Sequence, residues 1–588
     1  MLFQMQTRCI SCGGVIEGVA QFCSDCQARQ DTLAGPISIS PPPSEVGPQG
    51  ITPGQREEAP PHRLMDVVFL LAIGGALVGV ALWLLALGGT ETLGIGGDDS
   101  PEQAVVSSPT PGPQATSAPL GYVASECEFE VPEEAQVECG RLTVPQNRAQ
   151  PDAGTVSLPV AKFVSASANR QPDPVVYLDG GPGGNTLMTA PILYEVMKPL
   201  VENRDLVLFD QRGAGGSEPS LDCPEMRAVD YELLEQQYTV DERVAQDEDA
   251  VNECRGRLVS EGVNPAFATS AENAADVNDL RAALGYPQWN LFGVSYGTRL
   301  ALTVMRDHPD GVRSAILDST YPPQSDLYSE LAPDFSRSLN VMFESCAIDP
   351  ACSEAFPDLR QAFNETVQGL DQQPVSVTLG SRGGRPVEGA VIDGIWFSAF
   401  IFQSLYSTEL IPLLPRAIFD TRDGNYDILT LLADAYLQNS EAISPGMYLS
   451  VQCGEETPFT NRQAALAAAQ ADPVLQESNE YSAKSIFAAC DAWQAPKAAD
   501  GENQAVSSPI PALVLAGQYD PITPPSWGAL AAASLSAGHF FEFPGQAHGV
   551  TLSDVCPLGM AIAFLDAPQV APASGCVGQM SGVEWFAE

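Results

Sequence analysis

The stretch G-V-S-Y-G at residues 293–297 constrains the fold of this 588-residue chain more than any other. It has the pattern G-x-S-x-G, with Ser295 between Gly293 and Gly297. The residues W-N-L-F at 289–292 before it predict a buried strand, and residues 298–306 after it can continue as a helix. A serine at the tip of so sharp a turn needs glycine neighbours, because side chains there would collide with the adjacent backbone. The pattern therefore predicts a nucleophilic Ser295, with an ordinary Ser/Gly turn as the alternative.

A nucleophilic serine needs a base, and the base needs an orienting carboxylate. In an α/β-hydrolase these residues follow in the order Ser, Asp or Glu, His. The chain has four histidines. His62 precedes a predicted membrane segment, His308 ends the helix after the serine, and His539 opens an apolar strand. His548 lies in the loop just after that strand, so we predict that it is the base.

The predicted acid is Asp520. Residues 511–519 form an apolar strand followed by a turn. This delivers the carboxylate to the carboxyl edge of the sheet, where chemistry occurs in open α/β folds. The alternative is a turn-capping Asp before Pro521, but the spacing to His548 favours the catalytic role.

An oxyanion intermediate needs preorganised N–H donors. One is expected to be the backbone of Tyr296, directly after the nucleophile. The second is expected from the loop D-G-G-P-G-G at residues 179–184, which follows an apolar strand at residues 174–178. We predict Gly181 N–H as that donor. A phosphate-binding P-loop is excluded because no Lys-Ser/Thr follows the glycines.

Strands and helices alternate through most of the remaining chain, which predicts an α/β class with a doubly wound, mostly parallel sheet. The predicted core comprises residues 125–321 and 509–588. Residues 322–508 are more helical and irregular, and they lie where α/β-hydrolases carry a cap. An aromatic-rich helical stretch within them is expected to form either the cap core or a substrate pocket. Its aromatic residues are Trp396, Phe397, Phe400, Phe402 and Tyr406.

Several motifs in the same order resemble the proline iminopeptidase and tripeptidyl aminopeptidase (TAP-like) group of serine exopeptidases. They are residues 179–184, F-D-Q-R-G-A-G-G-S at residues 209–217, and residues 293–298. Residues 450–459 and 520–525 are more similar to the tripeptidyl aminopeptidase branch. The resemblance implies a secreted or envelope-bound enzyme that cleaves peptide substrates from a free N-terminus and needs no cofactor for catalysis. One departure is Asp179, where iminopeptidases usually have His.

An exopeptidase must recognise a cationic amino terminus, and a buried cation is costly without a paired carboxylate. The resemblance puts Glu455 and Glu456 near the active site, so we predict that they bind this amine. The alternative is two solvated surface glutamates. Asp210 and Arg212 are expected to hold the loop beside the oxyanion hole rather than to touch substrate.

The segment 67–87 contains only apolar residues and glycine, which is long enough for a transmembrane helix. We predict the helix over residues 65–89, a linker at 31–64 and a Pro/Ser/Gly-rich stalk at 90–124. Arg56 and Arg63 precede the helix, whereas Glu91 and Asp98 follow it. The positive-inside rule therefore places the N-terminus in the cytoplasm and the hydrolase outside, anchored to the cell membrane by a single helix.

Cysteine spacing changes across this segment. Before it, Cys9, Cys12, Cys23 and Cys26 form two C-x-x-C knuckles, which predict a structural Zn²⁺ ribbon over residues 1–30. A redox role is the alternative, but no βαβ unit surrounds them. Ribbons of this kind often dock partners, so an unidentified cytoplasmic partner is expected, with a purely structural zinc as the alternative. After the predicted transmembrane segment, the ten remaining cysteines can pair fully in an oxidising space. The sequence does not fix their connectivity, and our expectation is neighbour pairing: Cys127–Cys139, Cys223–Cys254, Cys346–Cys352, Cys453–Cys490 and Cys556–Cys576.

The net charge of −46 argues against nucleic acid as a partner, because that binding needs a basic surface. The leading hypothesis is thus a membrane-anchored serine exopeptidase. A carboxylesterase or lipase with the same triad is the second hypothesis. A non-enzymatic receptor that reuses the fold is the third.

Overall fold

The structure is a computed structural model that describes residues 7–8, 15–16, 121–382 and 385–587. The chain divides into two compact units, Met1–His62 and Arg63–Glu588. In the first unit, β1 (Thr7–Arg8) pairs antiparallel with β2 (Val15–Ile16). The four ribbon cysteines and the predicted segments 31–64, 65–89 and 90–120 lie outside the described residues. No helix within the described ranges is both long and apolar enough to cross a bilayer.

The second unit is built on a nine-stranded sheet with the order β13-β12-β9-β8-β6-β7-β5-β4-β3. Strands β13 through β7 are parallel to one another, and β5, β4 and β3 extend the sheet antiparallel at one edge. Its strands are β3 (Gly121–Ala124), β4 (Val137–Pro145), β5 (Thr155–Phe163), β6 (Val175–Leu178), β7 (Leu206–Phe209), β8 (Trp289–Val294), β9 (Val312–Asp318), β12 (Ala512–Gly517) and β13 (Gly538–Phe543). The remaining two strands form a separate antiparallel hairpin, β10 (Val375–Arg382) and β11 (Arg385–Ile392).

Helices cover both faces of this sheet and form the insert between β9 and β12. In chain order they are α1 (Ala190–Val201), α2 (Pro224–Glu232), α3 (Val240–Ser260), α4 (Ser270–Ala283), α5 (Tyr296–Asp307), α6 (Leu327–Ile348), α7 (Pro350–Ala355), α8 (Leu359–Gln372), α9 (Gly394–Ser404), α10 (Leu414–Arg422), α11 (Asp427–Glu441), α12 (Pro445–Val451), α13 (Arg462–Ala469), α14 (Gln476–Trp493), α15 (Pro525–Ser534), α16 (Val550–Ser553) and α17 (Val555–Asp566).

The central strands are buried on both faces, as expected for parallel strands between two helical layers. In β6, Val176 and Leu178 pack in the same apolar cluster as α4 and α5. The alternate residues Val175 and Tyr177 pack in the cluster that contains α1 and α17. The core is thus a three-layer α/β-hydrolase sandwich with a mostly parallel sheet, which confirms the predicted fold class for this part of the chain.

Much of the predicted cap packs around a second apolar cluster, whereas apolar residues of α12 and α14 belong to the same cluster as the core strands. Two segments before the predicted boundary also join it. Residues of α2 and α3 belong to the cap cluster, and Arg243 of α3 forms an ion pair with Asp393 at 2.5 Å. The backbone N–H of Val391 also donates to Leu234 O at 2.7 Å. Parts of α2 and α3, which come before the predicted cap in the sequence, therefore contact and support the cap.

All ten cysteines of the second unit are paired, and the neighbour pairing is confirmed. Each bridge closes a short segment of 6 to 37 residues. The bridges are Cys127–Cys139, Cys223–Cys254, Cys346–Cys352, Cys453–Cys490 and Cys556–Cys576.

The elbow between β8 and α5 is tight enough to exclude side chains at both flanking glycines. A Cβ on Gly297 would lie 1.8 Å from Leu178 O, and one on Gly293 would lie 2.4 Å from Gly297 O. Both obstacles are backbone atoms, so no rotamer change can relieve the overlap.

We therefore expect Gly297→Ala to destabilise the chain by at least about 3 kcal/mol, because overpacking against backbone forces the sheet apart. Gly256→Ala is the matched control, since a Cβ there meets open space on α3. That variant should gain about 0.5–1 kcal/mol from the removal of a helical glycine. Denaturant unfolding of both variants measures the difference. Equal stability of the two would contradict the close approach of α5 to β6.

Candidate active site

Ser295 sits where β8 ends and α5 begins, with backbone angles φ 58° and ψ −127°. This is a strained conformation for a residue with a side chain, and such strain clusters at functional sites. Hydrogen bonds hold it in place. The Ser295 N–H donates to Asp318 O at 3.0 Å, and Ser295 O accepts from Thr298 Oγ1 at 2.6 Å. The structure thus places the predicted nucleophile at the tip of an elbow.

Asp520 and His548 are brought together because they follow neighbouring parallel strands, β12 and β13. The distance from His548 Nδ1 to Asp520 Oδ2 is 2.8 Å. Asp520 is fully buried, and its other oxygen accepts from the backbone N–H groups of Ile522 and Thr523 at 3.0 and 2.9 Å. The carboxylate is therefore fixed to face the imidazole.

The electrostatics of this pair suit a general base. Burial opposes the charge of Asp520, but the charge of His548, its hydrogen bond and those from Thr523 lower the pKa of Asp520 below its usual value. Burial alone would lower the pKa of His548, whereas the nearby charges of Asp520 and Asp318 and the hydrogen bond to Asp520 raise it overall. The ion pair is thus favoured once His548 has accepted a proton.

Thr523 is a site residue that sequence analysis missed. Its Oγ1 donates to Asp520 Oδ2 at 2.7 Å and lies 3.2 Å from His548 Nδ1. The hydroxyl therefore bridges the acid and the base and helps to set the orientation of both. The signal was present in the sequence as a hydroxyl residue three positions after the acid.

Asp318, at the end of β9, is the second missed residue. Its carboxylate accepts from the backbone N–H groups of Val550 and Thr551 at 3.0 and 2.8 Å, just beyond the histidine. The next residue, Ser319, accepts from Gly549 N at 2.8 Å. Because Asp318 O also holds Ser295, one strand end positions the nucleophile and the histidine loop together.

The two predicted oxyanion donors are available. Among the residues that the structure describes, neither Gly181 N–H nor Tyr296 N–H donates to an acceptor. The glycine loop lies beside the nucleophile, since a Cβ on Gly180 would come within 3.5 Å of Ser295 Oγ. Asp179 stabilises this loop by accepting from Gly180 N at 2.8 Å. The geometry is that expected of an oxyanion hole.

Asp210 and Arg212 brace the surrounding loops, as the sequence suggested. Asp210 accepts from Leu187 N at 2.9 Å and from Gly216 N at 2.8 Å. Arg212 is fully buried and binds both oxygens of Asp276 at 2.7 Å. Both side chains are satisfied by protein partners.

The cap reaches the site at two places. The ring of Tyr406 lies 4.9 Å from the imidazole of His548, centroid to centroid, and Tyr406 O accepts from His548 N at 3.2 Å. On the other side, the strap formed by residues 442–446 pairs with the oxyanion loop. Ser444 N donates to Gly183 O at 2.8 Å, and Asn185 N donates to Ala442 O at 3.1 Å.

The aromatic stretch accordingly divides between its two predicted roles. Trp396, Phe397 and Phe400 are buried in the cap cluster. Phe402 connects that cluster to Tyr406 through an edge contact of 5.5 Å. Only Tyr406, the last of the series, contacts the triad.

The amine-binding role of Glu455 and Glu456 stays a prediction, whereas the alternative of two solvated surface glutamates is wrong, because both side chains are buried beside a cation. They are 1% and 2% exposed, with Arg299 Nη1 2.8 Å from Glu456 Oε1 and Nε 3.7 Å from Glu455 Oε2. Glu455 also accepts from Ser270 N at 2.7 Å. Burial raises the pKa of Glu456 to about 7, as expected where two carboxylates share one guanidinium. These residues anchor the cap to the elbow helix.

Comparison with known proteins identifies the relatives of this fold and site. Residues 173–355 match the α/β-hydrolase fold family model, and residues 476–576 match the model described as TAP-like protein. The chain belongs to the TAP-like family of α/β-hydrolases. It is a serine hydrolase of the peptidase type.

Individual proteins are similar to this chain to different extents. Serine protease Hip1 from Mycobacterium tuberculosis is 28% identical over 444 residues, which covers 71% of this chain and 83% of that protein. Tripeptidyl aminopeptidase from Streptomyces lividans is 30% identical over 201 residues, or 32% of this chain and 36% of that protein. The structure of proline iminopeptidase from Mycobacterium smegmatis aligns with 73% of this chain and 98% of that one, at 16% identity and a TM-score of 0.36.

We expect Asp520→Asn to lower kcat by about 10⁴-fold, because the imidazole loses its orienting carboxylate. His548 must be neutral to act as a base, so its raised pKa moves the acidic limb of the pH profile to higher pH than an ordinary histidine would give. Removal of the Asp520 charge should move the midpoint of this limb to lower pH. The pH profile of kcat/KM measures both effects on any cleaved substrate.

Asp500→Asn is the control for this prediction, since its side chain is 85% exposed. It should leave both rate and midpoint unchanged. An acidic limb that stays in place in Asp520→Asn would show that His548 and Asp520 do not titrate as a pair.

Proposed function

We propose that this TAP-like peptidase is an exopeptidase that cleaves peptides near a free N-terminus. The observation that carries the proposal is the closure of the cap on both sides of the site. Tyr406 covers His548, and the strap at residues 442–446 covers the oxyanion loop. We infer that a cap joined to the core at both places would hinder a long chain from continuing past the site in both directions. This favours substrate ends over internal bonds.

The proposed chemistry is acyl transfer through an acyl-enzyme. Ser295 attacks the scissile carbonyl while His548 accepts its proton. Asp520 and Thr523 hold the imidazole and stabilise its charged form. The N–H groups of Gly181 and Tyr296 receive the oxyanion. His548 then returns the proton to the leaving amine, and water releases the acyl group by the same sequence of steps.

The N-terminal segment extends the proposal to location. We propose that residues 65–89 anchor the chain in the cell membrane, with the hydrolase on the extracytoplasmic side. The five disulfides of the second unit support an oxidising compartment for it. We also propose that Cys9, Cys12, Cys23 and Cys26 bind one structural Zn²⁺ in the cytoplasm, in a ribbon that docks a cytoplasmic partner. The four-thiolate spacing supports this ligand set.

The exopeptidase proposal predicts a dependence on the free amine. We expect the full chain to shorten peptides of a mixture with free N-termini, and to leave the same mixture intact after acetylation. Product masses give the number of residues removed per step. Ser295→Ala is the control and should cleave neither mixture. Equal cleavage of both mixtures would indicate an endopeptidase, and hydrolysis of simple esters alone would indicate an esterase.

The anchoring proposal predicts that the full chain stays in the membrane fraction through salt and alkaline washes. Deletion of residues 65–89 should release it into the soluble fraction. In intact cells an added protease should digest the hydrolase but not an epitope placed at the N-terminus. Soluble full-length chain, or digestion of the N-terminal epitope, would refute the anchor or its orientation.

A further inference from the structure

Cap helix α6 holds the three-residue acid loop that ends at Asp520. Two neighbouring side chains of this helix donate to three successive backbone carbonyls. Arg337 donates from Nη1 to Gln518 O at 2.9 Å and from Nη2 to Asp520 O. Ser338 Oγ donates to Tyr519 O, the carbonyl between them. Every carbonyl of the acid loop is thus fixed by α6.

The N–H groups of the same loop bind the segment that carries the base. Gln518 N donates to Phe543 O at 3.2 Å, and Tyr519 N donates to Gln546 O at 2.9 Å. Gln546 lies two residues before His548 in the chain. The backbone that carries the acid is therefore held between the histidine loop and a helix of the cap, and each of the two satisfies one type of backbone group.

The guanidinium of Arg337 binds backbone rather than a carboxylate. Arg337 is half-buried, and within the described residues no carboxylate oxygen lies within 4.0 Å of it. Negative charges act on it only from beyond that distance, those of Asp334, Asp520 and Glu542. The fully buried arginines instead form ion pairs, as do Arg212, Arg243 and Arg299. In a chain with 28 Lys and Arg against 74 Asp and Glu, a cation committed to two backbone carbonyls indicates that their position matters.

We propose that Arg337 is a positioning residue for the acyl-transfer reaction and acts through Asp520 on His548. Its planar guanidinium joins the two carbonyls on either side of Tyr519, so it fixes the direction in which the backbone enters Asp520. Hydrogen bonds from a charged donor are stronger than those between neutral groups. The carboxylate is thereby aimed at His548 Nδ1, 2.8 Å away, before the base accepts its proton. In this role Arg337 needs no contact with substrate.

The assignment makes the cap part of the catalytic machinery. Tyr406 and the strap at residues 442–446 contact the base and the oxyanion loop, and α6 adds a contact with the acid. The geometry of the triad therefore depends on α6 remaining seated on the acid loop. This dependence is the same for a peptide and for a simple ester, so it does not rest on the proposed exopeptidase function.

The test compares Arg337→Met with wild type in the full chain, because Met keeps an unbranched apolar stem and removes every donor and the charge. The probes are 4-nitrophenyl acetate and a peptide that the wild type cleaves. We expect kcat to fall by about tenfold or more on both probes, with KM within about threefold, since the aim of the acid is lost but no substrate contact is. Arg337→Lys should recover part of this loss, because its ammonium keeps the charge and can donate to these carbonyls without the planar fork.

Arg462→Met is the matched control. Arg462 lies on cap helix α13 and pairs with Asp491 at 2.8 Å, but both side chains are more than half exposed. A surface pair of this kind contributes little, so kcat on both probes should stay within about twofold of wild type.

The Asp520→Asn background separates positioning of the acid from a general structural role. There, Arg337→Met should lower kcat for the ester by less than about twofold, because no carboxylate is left to aim. An equal fold loss in both backgrounds, or an unchanged kcat in Arg337→Met alone, would overturn the assignment. A loss confined to the peptide or to KM would also overturn it, since that result indicates a substrate contact.

Two further outcomes leave the test decisive. If the melting curve shows that Arg337→Met does not fold, Arg337→Lys gives the same comparison, with a kcat below wild type that shows no further loss in the Asp520→Asn background. If the wild type cleaves no peptide, the proposed exopeptidase function fails, and the ester alone still decides the role of Arg337.

Discussion

The end of strand β9 is the point on which the active site depends. Asp318 is fully buried, and its backbone and side chain hold different catalytic loops. Its carbonyl fixes the amide of Ser295, and its carboxylate caps the turn that follows His548. Since His548 is in turn tied to Asp520, three loops from three strands meet through one residue. Displacement of this carboxylate would separate nucleophile from base without altering either side chain.

The pairing of buried arginines with carboxylates explains how the core of so acidic a chain stays stable. The buried guanidinium groups are each committed to carboxylates: Arg212 to Asp276, Arg243 to Asp393, and Arg299 to Glu455 and Glu456. Such pairs offset the desolvation of their partners, and they also tie cap to core. Cations are scarce in this sequence, with 28 Lys and Arg against 74 Asp and Glu.

The features that could be predicted from the sequence are those that depend on short stretches of the chain. The elbow, the strands with Asp520 and His548 after them, the glycine loop and the neighbouring cysteine pairs all follow from short patterns. Contacts between distant segments were not accessible in this way. Asp318 and Tyr406 meet the histidine loop across 230 and 142 positions, and nothing in their own sequence marks them. Thr523 could have been predicted from the sequence, because a hydroxyl so close after the acid has few hydrogen-bond partners other than its carboxylate.

The sharing of Arg299 between Glu455 and Glu456 could not be predicted from the sequence. The argument that an amine needs a buried carboxylate was sound, but it did not ask which cations the protein itself supplies. Arg299 lies one turn after Ser295 on α5, so an elbow helix that presents the nucleophile also presents a guanidinium to the cap. The two glutamates satisfy that charge and fix the cap over the site. Because one guanidinium faces two carboxylates, this buried cluster keeps an excess of negative charge beside the elbow helix.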